Sequence, residues 1–103
     1  MIRVRYSPRC IRIAGHAGSA PKGQDIVCAA VSALYFTLAQ ELGRQEKKQN
    51  GKLMLRDGGD VRTMRFTEVI NGDEADHAFE MIVAGMELIE QRYGNYIQVE
   101  RDF

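Results

Sequence analysis

Cys28 and His16 are the side chains in this chain that could together break a covalent bond. A thiolate is a strong nucleophile, and a neighbouring imidazole can take its proton and later return it to a leaving group. The imidazole stands in Gly15-His16-Ala17, at the end of an apolar-alternating segment. The thiol stands in Asp25-Ile26-Val27-Cys28, in the first turns of an expected helix. Asp25, Cys28 and Ser32 fall at i, i+3 and i+7, so a helix would place all three on one face. Positive charge at a helix N-terminus would favour the thiolate, and peptide N–H groups around Cys28 are candidates for an oxyanion hole.

Each of these residues also has a plain structural account. Free cysteine often behaves as a small core hydrophobe, and His16 could be a surface histidine at a strand end. Asp25 could orient His16 or cap the helix. Ser32 could bond a carbonyl one turn back or line a substrate groove. Gly15, Gly18 and Gly23 fit either a loop that closes over substrate or ordinary turn chemistry. No GxGxxG or GK[ST] pattern is present, so these glycines are neither a dinucleotide fingerprint nor a P-loop. Cys10 reads as a bystander thiol, and His77 as a solvated residue in a later helix. Arg56, Arg62 and Arg65 form a cluster near a turn that could meet an acidic partner or simply be a solvated strand face.

The elements that must position the pair follow from hydrophobic periodicity. Residues 1–6 alternate, with Ile2, Val4 and Tyr6 against Arg3 and Arg5, which predicts a strand. Ser7-Pro8 signals a turn, and Ile11 and Ile13 lie on a second strand ending at Gly15. Residues 14–24 read as a loop. From Asp25 a broad apolar surface at helical spacing runs through Leu42, with Gly43 as its expected stop and residues 45–52 as a solvated connector. Leu53 and Leu55 begin a third strand, and Asp57-Gly58-Gly59-Asp60 is a hairpin turn into a fourth over residues 61–70. Asn71 or Asp73 can cap a second helix whose stripe includes Ala75, Phe79, Ile82, Val83, Met86 and Tyr93, with Glu90 at its edge. Gly94-Asn95 stops it, and Ile97 and Val99 mark a last strand. The order ββαββαβ predicts an α+β domain, with two helices packed on one mixed or antiparallel sheet.

At 103 residues the chain reads as one domain, residues 1–103. Lys+Arg and Asp+Glu are equal at 14 each, so the overall charge gives no footprint for nucleic acid or an anionic membrane. A local patch is compatible with that balance. No apolar run reads as a membrane span and no signal-peptide core is seen, so the expected compartment is the cytoplasm. A disulfide between Cys10 and Cys28 is not expected there. No CxxC or HxxxH spacing supports zinc, and neither a metal nor another cofactor is expected.

The string Gly15-His16-Ala17, its glycine-bearing spacer, and Asp25-Ile26-Val27-Cys28-Ala29-Ala30-Val31-Ser32-Ala33-Leu34 closely resembles the ribosomal-processing cysteine protease family, Prp. The likeness covers essentially the whole chain and includes the ββαββαβ order. It implies a cytoplasmic, homodimeric cysteine endopeptidase that removes an N-terminal extension from a bacterial large-subunit ribosomal protein. Phage capsid or scaffold proteins with similar extensions are further implied substrates. By motif position Cys28 would be the nucleophile and His16 the general base. Asp25, Ser32 and Gly15 match supporting positions. The spacer reads Gly18-Ser19-Ala20-Pro21-Lys22, where such proteins often carry an aromatic residue. From hydropathy and charge balance, no membrane and no direct nucleic-acid partner are expected. A different class of function, a non-catalytic dimeric module binding ribosomal or nucleic-acid surfaces through its arginine-bearing strands, uses the same fold. The paired Cys28 and His16 favour the protease.

Overall fold

The computed structural model describes residues 1–15 and 22–102, and for residues 22–25 the backbone alone. Its elements are β1 (Ile2–Ser7), β2 (Cys10–Ala14), α1 (Lys22–Lys47), β3 (Lys52–Gly58), β4 (Val61–Thr67), α2 (Asp73–Tyr93) and β5 (Ile97–Arg101). The five strands form one sheet in the order β3-β4-β2-β1-β5. The expected α+β class and ββαββαβ order are therefore observed, and the sheet is mixed. β1 runs parallel to β5, while the β1–β2, β2–β4 and β3–β4 pairs are antiparallel.

Parallel pairing at β1–β5 follows from the connections. α1 carries the chain from β2 over β4 to β3, and α2 carries it from β4 over β2 and β1 to β5. Each crossover joins strands of the same direction. The right-handed rule for such crossovers puts both helices on one face. Burial agrees with this. Ile2, Val4, Ile11, Ile13, Met64, Phe66 and Ile97 point into the core, and their alternating neighbours Arg3, Arg5, Arg12 and Arg65 are exposed.

Both hairpins close through two-residue loops. Ser7 pairs with Cys10, so Pro8 and Arg9 form the loop, with Pro8 fixing the first dihedral and Arg9 at φ 57°. Gly58 pairs with Val61, leaving Gly59 and Asp60 as the loop, and Gly59 at φ 66° supplies the left-handed first position.

α1 is longer than its sequence suggests at both ends. Gly23 and Gln24 are helical rather than part of a loop, and Gly43 lies inside the helix, which runs on to Lys47. Val27, Val31, Tyr35, Leu38 and Leu42 continue one buried stripe, and Gln45 extends it where a solvated connector was expected. That stripe explains the extension, because packing outweighs the modest helix penalty of one glycine. An 18-residue window within the stretch 26–47 has a mean hydropathy of 1.5, long and apolar enough to cross a membrane, contrary to the expectation that no such run exists. Its apolar stripe packs on the sheet as a core helix does.

Gln45 is fully buried and fully bonded. Its amide nitrogen donates to Glu41 at 2.8 Å and to Glu74, and its carbonyl oxygen accepts from Asn50 at 2.8 Å. The fourth strand ends at Thr67 rather than residue 70, as Ile70 and Asn71 donate their amides to the Asn50 carbonyl. Gly72 holds the N-cap position of α2, and the Asn71 side chain accepts the Asp73 amide at 3.2 Å just before it.

Candidate active site

Cys28 is half-buried on α1, between the buried Val27 and Val31 and the half-buried Ser32. It opens onto a cleft of about 330 Å³ between α1 and the sheet. The helix contributes Cys28, Val31 and Ser32, and the strands contribute Ile2 and Ile13. Gly15, the Gly59-Asp60 turn and Arg62 complete the rim. The cleft therefore has an apolar floor, a thiol and a hydroxyl on one wall, and opposite charges on the other.

Gly15 is the residue that fixes how the chain leaves β2. Its φ is 88°, and its N–H donates to the Asp60 carbonyl at 3.1 Å. A Cβ placed there would stand 2.3 Å from the Met1 carbonyl oxygen. Glycine is required twice over, once by the dihedral and once by the close approach of the backbone. The next residue, His16, lies outside the described residues, as do residues 17–21 and the side chain of Asp25. Gly15 and Ser32 line the same cleft as Cys28.

Three expectations about this site need correction. First, α1 begins at Lys22, so Cys28 is nearly two turns inside the helix rather than one. The favourable field of a helix N-terminus falls off within the first turn, so it contributes little at Cys28. Second, the amides near Cys28 lie beyond the four that a helix leaves unbonded, and are committed to the helix ladder. They are not free to hold an oxyanion. Third, Asp25 has helical backbone three residues into α1 and does not occupy the N-cap position.

The arginine cluster read near the hairpin is divided by the sheet. Arg62 pairs in register with Ile13 and Asp57 and so faces the helices, whereas Arg56 and Arg65 face the other way. Arg62 lies 3.8 Å from Asp57 and 5.9 Å from the centre of the Phe36 ring. Sequence reasoning missed Arg62 as a cleft residue, although strand parity with Met64 and Phe66 carries that signal. Nearby, burial raises the Tyr35 hydroxyl pKa above its usual value. No group of three or more His, Cys, Asp or Glu among the described residues could hold a metal ion.

A half-buried thiol thus opens onto a cleft with an apolar floor, on a mixed five-stranded sheet backed by two helices. The match to known proteins is specific: the family model for cysteine protease Prp covers residues 1–98, and the chain belongs to that family. No curated protein sequence matches it. Among solved structures, SMU.848 from Streptococcus mutans is similar at 22% identity and TM-score 0.73, covering 98% of this chain and 93% of that one. The ribosomal processing protease Prp of Staphylococcus aureus with a substrate peptide is similar at 19% identity and TM-score 0.75, covering 98% and 97%. The same S. aureus protein with a covalently linked product peptide gives 21% identity, TM-score 0.72 and the same coverage. These likenesses establish the shared fold.

Proposed function

We propose that this chain is a cytoplasmic cysteine endopeptidase that removes the N-terminal extension of a bacterial large-subunit ribosomal protein. The observation that carries this reading is the position of Cys28. In a chain of the Prp protease family, Cys28 lines the cleft of about 330 Å³ between α1 and the sheet together with Gly15 and Ser32, whereas Cys10 borders a cavity on the sheet face turned away from the helices.

In this reading His16 takes the Cys28 proton, and the thiolate attacks the scissile carbonyl carbon. The C–S bond forms as the C–N bond breaks, and His16 returns the proton to the leaving amine. A water, deprotonated by His16, then hydrolyses the thioester and frees Cys28. The apolar floor of Ile2, Ile13 and Val31 would take an apolar substrate side chain, and Ser32 offers the substrate backbone a hydrogen bond. Both S. aureus neighbours carry peptides, which supports a peptide as the occupant. A reducing cytoplasm keeps the thiol free.

The test is incubation with ribosomal-protein precursors, read by mass spectrometry for a new N-terminus. Phage capsid or scaffold precursors with similar extensions serve as a second substrate set. Cleavage by the native protein, and its loss in Cys28→Ala and in His16→Ala with the fold intact, is the expected result. Equal turnover by native protein and Cys28→Ala would overturn the proposal.

A further inference from the structure

The sheet face turned away from the helices carries a concentration of arginine that the neutral overall charge conceals. Strand register builds one row across all five strands: Glu100, Arg5, Arg12, Thr63 and Arg56 stand side by side. Arg65 stands in the next row, paired with Cys10 and Met54, and Arg3 stands in the row on the other side. Arg3, Arg5, Arg12, Arg56 and Arg65 are all exposed. Of these, Arg5 has a partner, Glu100 at 3.9 Å, at the margin of the sheet. Arg5, Arg12 and Arg65 also border a shallow cavity of about 410 Å³ at the hairpin end, whose lining includes one acid, Asp102.

The compensating charge lies elsewhere. α2 carries Asp73, Glu74, Asp76, Glu80, Glu87 and Glu90 against one arginine, Arg92. The molecule is therefore electrically divided, with a basic sheet face and an acidic helix. A merely solvated face would intersperse the two signs. Here Arg5 and Arg12 stand directly opposite each other on antiparallel strands, where like charges destabilise the sheet. Local rules are broken in this way where a surface has work to do.

We propose that this open face docks on the phosphate backbone of RNA. Guanidinium groups bind phosphate as planar two-point donors; Arg5 and Arg12 stand on adjacent strands about 4.8 Å apart, and Arg56 stands two strands beyond Arg12. The rows contain no aromatic side chain; uncharged residues such as Thr63, Cys10, Met54 and Gln98 stand beside the arginines. Without a stacking platform the face reads phosphates rather than bases. It is on the opposite side of the sheet from Cys28, so docking leaves the cleft open. This surface is independent of the protease reading.

The experiment is fluorescence anisotropy of labelled single-stranded RNAs of unrelated sequence, titrated with the full chain between about 50 and 200 mM salt. The expected result is equal affinity for the different sequences and a log–log salt slope of about −2 to −3, as three or four neutralised phosphates require. Arg12→Gln with Arg65→Gln should weaken binding by about tenfold or more. Melting should be unchanged or raised in that double variant, and peptide cleavage unaffected. No binding at the lowest salt, or equal binding by native and double variant, would overturn the proposal. Poly-glutamate or anionic vesicles binding as tightly as RNA would overturn it in favour of another anionic partner.

Discussion

At the scale of single residues, backbone geometry constrains this protein more than charge does. Gly15 shows it most directly. Any side chain there meets both a left-handed dihedral and the Met1 carbonyl oxygen, so Gly15→Ala must move the N-terminal strand or the exit from β2. The dihedral alone costs about 1–2 kcal/mol. A lower melting temperature and loss of cleavage together are expected, and an unchanged variant would show that the exit is tolerant. Gln45 is the polar counterpart. Removing its amide takes one hydrogen bond each from Asn50, Glu41 and Glu74, so Gln45→Ala should cost about 2–3 kcal/mol in a denaturant titration. Glu74 carries the pH signature of that network. Hydrogen bonds from Gln45 and then Lys48 hold its carboxyl below the ordinary value. Its stabilising contribution is thus present above the unfolded-state pKa and is lost as pH falls through the lower folded one. Glu74→Gln should flatten that part of the acid limb of stability. The buried role of Gln45 was illegible in sequence because a glutamine among Glu46, Lys47 and Lys48 looks like any solvated connector.

At the scale of elements, the order of strands and helices along the chain was legible, because apolar residues alternate with polar ones in β1, β2 and β5 and turn residues bound β3 and β4. Ile2 and Val4 against Arg3 and Arg5 is enough for β1. The ends of α1 were not, because Gly23 and Gly43 are turn signals that tertiary packing overrides. Nor could the sequence foretell how the sheet edges are protected. The amide of Leu53 on β3 donates to Glu46 at the end of α1, and the amide of Val99 on β5 donates to Glu90 near the end of α2. Each helix thus lends a carboxylate to one edge strand, which blunts the unpaired edges that invite association. Glu90→Ala should cost about 1.5 kcal/mol, the scale of a hydrogen bond to a charged group. It should also increase exchange of the Val99 amide, read by hydrogen exchange. Unchanged protection of Val99 would remove this account. The β1–β2 hairpin is tied in a similar way, since Arg9 grips Asp76 of α2 through two nitrogens at 2.9 and 3.1 Å.

At the scale of the whole molecule, two surfaces with different chemistry lie on opposite sides. The sheet face is basic, while α1 presents an apolar strip on the helix side. Ile26, Ala29, Ala33 and Phe36 recur at i, i+3, i+7 and i+10 and are all exposed, Ile26 and Phe36 each at 56%. A single row of this kind on the helix that also carries Cys28 suits a second copy of the chain, which would cover it and wall the cleft from outside. The homodimer is thus a proposal resting on this strip. Phe36 is the natural centre of such an interface, since an exposed aromatic ring loses water on contact and already lies near Arg62. Sedimentation should find a dimer for the native chain and a monomer for Phe36→Glu, and native melting should rise with protein concentration. A native monomer at every concentration would remove the strip as an interface. The test also separates the two faces, because Phe36→Glu leaves the arginine rows intact. Because α1 carries both the strip and Cys28, a monomeric variant that still cleaved peptide at the native rate would show that each cleft is complete within one chain.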